Sequence, residues 1–228
     1  INDGGITKLQ SHQYHTNFFL EESKKDLTII YDDILDTISN IQNIQLRILC
    51  NSFYQNLEFK EAIFKAPATK LHHHSFLGGL LEHIHNMLAY VQLICKIHPE
   101  LNKDLLTSIT LLACIGKIKH LTTTTIIDLS SSGHMLGDVI LSMQMVQEKI
   151  RNQEFDKDLE LKILNAIISQ QGKTAWGAPR RPATSEALAF AKIKELDASV
   201  SQIITLQKRV DTNTEFFYSK EFGNIISK

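Results

Sequence analysis

Isoleucines at positions 30, 34, 38, 41, 44 and 48 recur every three or four residues. That spacing places them on one face of an amphipathic helix, with Asp26 available to cap its first turn. A second helix is predicted from about Asn56 to Phe64 and ends before Pro67. Leu77, Leu80, Leu81, Ile84, Leu88, Val91 and Cys95 define a third, ended near Pro99. Further helices are expected near 103–116, 134–151, 157–170 and 184–207. Thr122 to Thr125 and Ser130 to Ser132 are too rich in β-branched and small polar residues to make a good helix, and Gly172 to Pro182 reads as an irregular loop. The pattern predicts an all-α bundle.

Composition narrows the class. With 228 residues and 43% hydrophobic content the chain can bury one sizeable core. No apolar run reaches the length needed to cross a bilayer, so no membrane association is expected. The first residues lack a basic region followed by an apolar stretch, and Cys50, Cys95 and Cys114 each sit in an apolar helical pattern. The expectation is a cytoplasmic protein with reduced thiols. A formal net charge of −1 excludes a broadly basic nucleic-acid surface and leaves room only for a local patch.

The informative motifs come in an ordered series. Ala66-Pro67-Ala68 leads to His72-His73-His74, followed by Gly78-Gly79-Leu80-Leu81-Glu82-His83. Leu111-Leu112-Ala113-Cys114-Ile115-Gly116-Lys117 comes next, then Gly133-His134-Met135-Leu136-Gly137-Asp138. Ser169-Gln170-Gln171-Gly172-Lys173, Trp176-Gly177-Ala178-Pro179 and Leu196-Asp197-Ala198 complete it. Over roughly residues 25 to 210 this series resembles the HD domain of YhaM-type 3'-5' exoribonucleases. The resemblance implies an HD-domain-like helical bundle with a short irregular N-terminal arm. It divides the chain into an arm or upstream remnant at 1–25, a degenerate HD domain at 26–210 and a tail at 211–228. In that family an OB-fold precedes the HD domain.

The departures from the family pattern fall at its metal ligands. His83 matches the first metal-binding histidine and is kept. The His-Asp pair is replaced by Ala113 and Cys114, a later histidine by Asp138, a His-His pair by Gln170 and Gln171, and a His-x-x-Asp by Ala191 and Lys194. A divalent ion needs several lone-pair donors at about 2.0–2.3 Å, which alanine and lysine cannot supply. The expectation is therefore a catalytically inactive domain without a cofactor, acting as a binding or scaffold module. Lys194 is expected to pair with Asp138 where the family has its ion. Two alternatives stay open: a remodelled ion site on His83, Cys114 and Asp138, and a metal-dependent phosphohydrolase or 3'-5' exoribonuclease with an altered site.

Other residues admit a binding role. Lys117, Lys173, Arg180, Arg181, Lys192 and Lys194 are candidates for a cationic rim, and Trp176 could stack on a base. The partners these residues suggest are single-stranded RNA or a nucleotide, with a partner protein as the other reading. His72, His73 and His74 are expected to pack or cap, His83 to be a hydrogen-bonded core histidine, and Cys114 to be a small buried hydrophobe.

Overall fold

The first break in the structure falls where the isoleucine pattern is continuous. In this computed structural model, which describes residues 19–209 and 215–227, α1 spans Leu27–Ser39 and α2 spans Ile44–Tyr54. Asp26 caps α1 through the backbone N–H groups of Thr28 and Ile29, while Asn43 caps α2 through that of Leu46. The cap at Asn43 starts a new helix, so Ile30, Ile34, Ile38 and Ile41 are buried but Ile44 and Ile48 face solvent. In α2 the core is met instead by Leu46, Leu49, Cys50 and Phe53.

Helices α3 (Leu57–Lys65) and α4 (Gly79–Ile97) follow, then α5 (Lys103–Leu112). Every residue from Leu105 to Leu112 is buried, because α5 runs through the centre of the bundle and packs on α2, α4, α8 and α9. The expected helix to residue 116 stops at Leu112; Ala113 to Gly116 form turns leading into the short α6 (Lys117–His120). The remaining helices are α7 (Ser131–Arg151), α8 (Lys157–Ile168) and α9 (Ser185–Arg209). Within α7, Gly137 adopts φ 75° and ψ 162°, so the helix breaks just before Asp138.

The polar stretch between α6 and α7 is a small hairpin, with β1 (Leu121–Thr123) antiparallel to β2 (Ile127–Leu129) and Leu121 opposite Leu129. Ser130 then caps α7 through the N–H of Gly133. A second hairpin, β3 (Phe216–Ser219) with β4 (Gly223–Ile226), occupies the segment expected to be a tail. Of the N-terminal arm, residues 1–18 lie outside the described residues; the next few pair with the segment just before α4 through a Glu22–Leu77 bridge. The architecture is all-α with two minor hairpins. Among the described residues no helix is long and apolar enough to cross a membrane.

Candidate metal centre

The three adjacent histidines sit in the irregular loop between α3 and α4. This loop is folded tightly against the helix it precedes: Thr69 Oγ1 donates to His73 O at 2.7 Å, and Ala68 N–H donates to His74 O at 3.0 Å. His74 itself has φ 48°, in the left-handed region that non-glycine residues seldom occupy. Gly79 makes the approach feasible, since a Cβ there would lie 2.1 Å from His74 O. The sequence thus uses a glycine at the first turn of α4 to bring the histidine loop over His83, one turn further along.

His74 and His83 meet Asp197 of α9. The Nδ1 of His83 is 2.6 Å from Asp197 Oδ2, and the Nε2 of His74 is 3.0 Å from the same oxygen. Ser201, one turn along α9, approaches His74 Nε2 at 3.1 Å. All three side chains are buried. Burial opposes ionisation of Asp197, yet the hydrogen bonds from His74 and His83 outweigh it and hold the carboxyl well below the usual range. Burial lowers His83 to about 4 despite the neighbouring carboxylate, so its ring is neutral near pH 7. A neutral ring facing a carboxylate carries its proton on Nδ1 and keeps a lone pair on Nε2. That Nε2 is buried with no hydrogen-bond partner.

His73 lies against this group, its ring centre 5.0 Å from that of His83 and 5.9 Å from that of His74. Its Nε2 is likewise buried without a partner. Burial, and after it the electrostatic influence of its neighbours His83, Lys117, His74 and Lys194, push it down to about 2.

The expectation of a site without a cofactor is corrected here. His74, His83 and Asp197 present ligand-capable atoms that all lie within 4.8 Å of one another, and among the described residues they form the one such group. Two imidazoles and a carboxylate suit a divalent ion, and the unpartnered Nε2 of His83 supplies a lone pair that the protein itself does not satisfy. The alternative trio of His83, Cys114 and Asp138 does not converge. Cys114 Sγ donates to Gln170 Oε1 at 3.7 Å, with burial pushing the thiol up, while the Asp138 carboxylate pairs with Lys117 at 3.1 Å.

The replaced ligand positions form a hydrogen-bonded plug of their own. Gln170, at the end of α8, donates through Nε2 to the carbonyls of Ala113 at 2.9 Å and Ile167 at 3.1 Å. Its Oε1 accepts from Lys194 Nζ at 2.8 Å, and Gln171 Oε1 stands 3.5 Å from the same ammonium. Lys194 therefore pairs with two amide oxygens, and the expected pair with Asp138 is taken by Lys117 instead. Burial pulls the Lys194 ammonium below its usual value. Burial pushes Asp138 up, but Lys117 and Lys194 outweigh that and hold it well below the carboxylate range. Ala191 is buried on α9 and contributes no polar group.

The cationic residues divide into two sets. Lys117 and Lys194 are interior, each 8% exposed, and do not belong to a surface rim. Lys173, Trp176, Arg180 and Arg181 are exposed on the loop between α8 and α9, where a 3-10 turn spans Thr174–Trp176. Lys173 Nζ stands 4.3 Å from the centre of the Trp176 ring and Lys192 Nζ 5.9 Å from it. Asn165 ties the loop to α8 by accepting from Ala183 N–H at 2.9 Å.

Two members of the cluster escaped sequence reasoning. Asp197 is in plain view three residues after Lys194, the spacing that places it on the same helical turn, but a family landmark gives no sign that a carboxylate is spent on a histidine. His74 was obscured by its neighbours, since three consecutive histidines on a loop carry no periodicity.

Comparison with known proteins finds relatives that share one name. The chain is 26% identical over 185 residues to the 3'-5' exoribonuclease YhaM of Oceanobacillus iheyensis, covering 81% of this chain and 58% of that protein. It is 25% identical over 196 residues to the Shouchella clausii protein of the same name, covering 86% and 61% respectively. With the Bacillus subtilis protein of that name it shares 26% identity over 202 residues, covering 88% and 64%. The chain thus spans about three-fifths of the length of these relatives. No family model matches it. No solved structure matches it either. The ordered motifs, the helical bundle and these similarities together make the chain a relative of the YhaM-type 3'-5' exoribonucleases across an HD-like domain.

Proposed function

We propose that this domain is a metal-dependent phosphohydrolase of the 3'-5' exoribonuclease type with an altered site, acting on single-stranded RNA. The observation that carries the reading is the buried cluster of His74, His83 and Asp197, which gathers ligand-capable atoms around His83. The names of the relatives supply the substrate class. An ion bound there would polarise a phosphoryl oxygen and acidify a water molecule.

The protein's own residues do the rest. Asp197 fixes the ring of His83 by accepting from Nδ1, so that the imidazole is held for one orientation. Lys117 and Lys194 place fixed positive charge on the flank of the cluster, where charge on a phosphoryl group is stabilised without reorganisation. Lys173, Arg180 and Arg181 offer cations to the RNA backbone, and Trp176 offers a face for a base.

A second reading is favoured by the plug of Gln170 and Lys194, which occupies positions where the resemblance to the family implies metal ligands. In that reading the domain holds RNA without cutting it. A protein partner has no comparable support. The two readings separate on labelled single-stranded RNA with manganese: 3'-end shortening that disappears in His83→Ala supports hydrolysis, and binding without shortening supports retention. Under either, Trp176→Ala should weaken RNA binding by about 1–3 kcal/mol, and Lys173→Ala with Arg180→Ala should reduce its salt dependence. Unchanged affinity and salt dependence in both variants would remove this loop from the RNA path.

A further inference from the structure

The cluster leaves open which face of His83 meets the ion, and this inference rests on the metal reading above. His83 Nδ1 and His74 Nε2 are already engaged with Asp197 at 2.6 and 3.0 Å. Two ligands each about 2.1 Å from a tetrahedral ion stand roughly 3.4 Å apart, so these shorter separations describe hydrogen bonds that the ion would have to break. Away from Asp197, His83 Nε2 is buried and has no partner, and the Nε2 of the adjacent His73 is buried and unpartnered as well. Their rings are 5.0 Å apart, centre to centre, and inclined by 52°. Two imidazoles sharing one tetrahedral ion have ring centres about 5 Å apart, given metal–nitrogen distances of about 2.0–2.1 Å.

We propose that His73 is a metal ligand, binding through Nε2 beside Nε2 of His83, while Asp197 and His74 act from behind as positioning residues. A ligating histidine that passes its other N–H to a carboxylate is the arrangement in which ring orientation and tautomer are fixed together. The remaining coordination positions are then left for water or an RNA phosphate, in keeping with a site that acts rather than one that only braces the fold. His72, next in the chain but exposed, is the internal control.

The test uses the untagged chain and zinc or cobalt(II) alone. In wild-type protein, imidazole nitrogen NMR on adding zinc should shift Nε2 of His73 and His83 and leave Nδ1 of His83 protonated. By isothermal titration, His73→Ala and His73→Gln should each weaken zinc binding by at least about 100-fold, beyond the 10–100-fold seen when an orienting partner is lost. His72→Ala should bind as the wild type does. Circular dichroism separates loss of a ligand from loss of the fold, and the wild-type spectrum stands whether or not the variants fold. If zinc instead shifts Nδ1 of His83 and Nε2 of His74 and leaves His73 unchanged, the ion lies on the inner face and the proposal is wrong. Wild-type protein that binds neither zinc nor cobalt overturns the metal reading itself, and this assignment with it.

Discussion

Lys194→Met is expected to lower the stability of the domain by about 1–3 kcal/mol and RNA turnover about 100-fold. The stability loss follows from what Lys194 touches. Its ammonium donates to the buried amide oxygen of Gln170, stands beside that of Gln171, and with Lys117 holds Asp138 ionised. An apolar side chain there leaves the Gln170 oxygen in the interior with only the weak Cys114 thiol as donor, because the bonds of Gln170 to Ala113 and Ile167 use its nitrogen. The loss of turnover follows from the proposed role of that charge beside a phosphoryl group, where removing one preorganised donor costs about 2.7–4 kcal/mol of transition-state stabilisation. Chemical denaturation and a single-turnover RNA assay would measure the two effects separately. A stability loss without loss of turnover would confine Lys194 to a structural role.

Acid should unfold the metal-free protein well above the usual carboxylate range. His83 falls to about 4 when folded, while an unfolded histidine titrates near 6.5. The unfolded chain therefore binds the proton first, so stability is lost as pH falls from about 6.5 towards 4. The difference of roughly 2.5 units corresponds to about 3 kcal/mol, a large share of the stability of a domain this size. His73 is lowered further and acts in the same direction. Asp197, held low, contributes stability above the unfolded carboxyl value and loses it only at still lower pH. Urea midpoints in the presence of a chelator at pH 7, 5.5 and 4.5 should fall steadily, and His73→Phe should flatten part of the slope. Midpoints that do not move between pH 7 and 4.5 would mean that these imidazoles do not reside in the interior as described.

What the sequence made legible was decided by periodicity and capping. The helices at 57–65, 79–97, 157–168 and 185–209 fall close to their expected positions because apolar spacing, Asn56 and Asp156 as caps, and proline or glycine breakers all agree. Helices α1 and α2 were fused in the expectation because isoleucine spacing alone cannot register a change of axis. Asn40 and Asn43 carry that change through their caps. The hairpins were missed because Phe216, Tyr218 and Ile226 alternate over too few residues to stand out.

The site was legible in a different way. Family landmarks located His83, Ala113, Cys114, Gln170 and Lys194, and the structure brings the last four together by hydrogen bonds. Charge complementarity alone suggested Asp138 with Lys194. The reach of Lys117 from the short α6 is a tertiary fact, and it gave Asp138 a different partner. The cluster of His74, His83 and Asp197 joins a loop, α4 and α9, so no local spacing announces it. Counting lost ligands therefore missed the histidine and the carboxylate that the fold gathers around His83.

Metal content and affinity, measured together on untagged protein stripped by chelation and reloaded with manganese, zinc or cobalt, decide whether His83 anchors a divalent ion. One equivalent of bound ion is expected in the wild-type protein, with Asp197→Ala binding at least about 10-fold more weakly and His83→Ala losing the ion. Wild-type protein that retains no ion, or a His83→Ala variant that binds as tightly as the wild type, would contradict it.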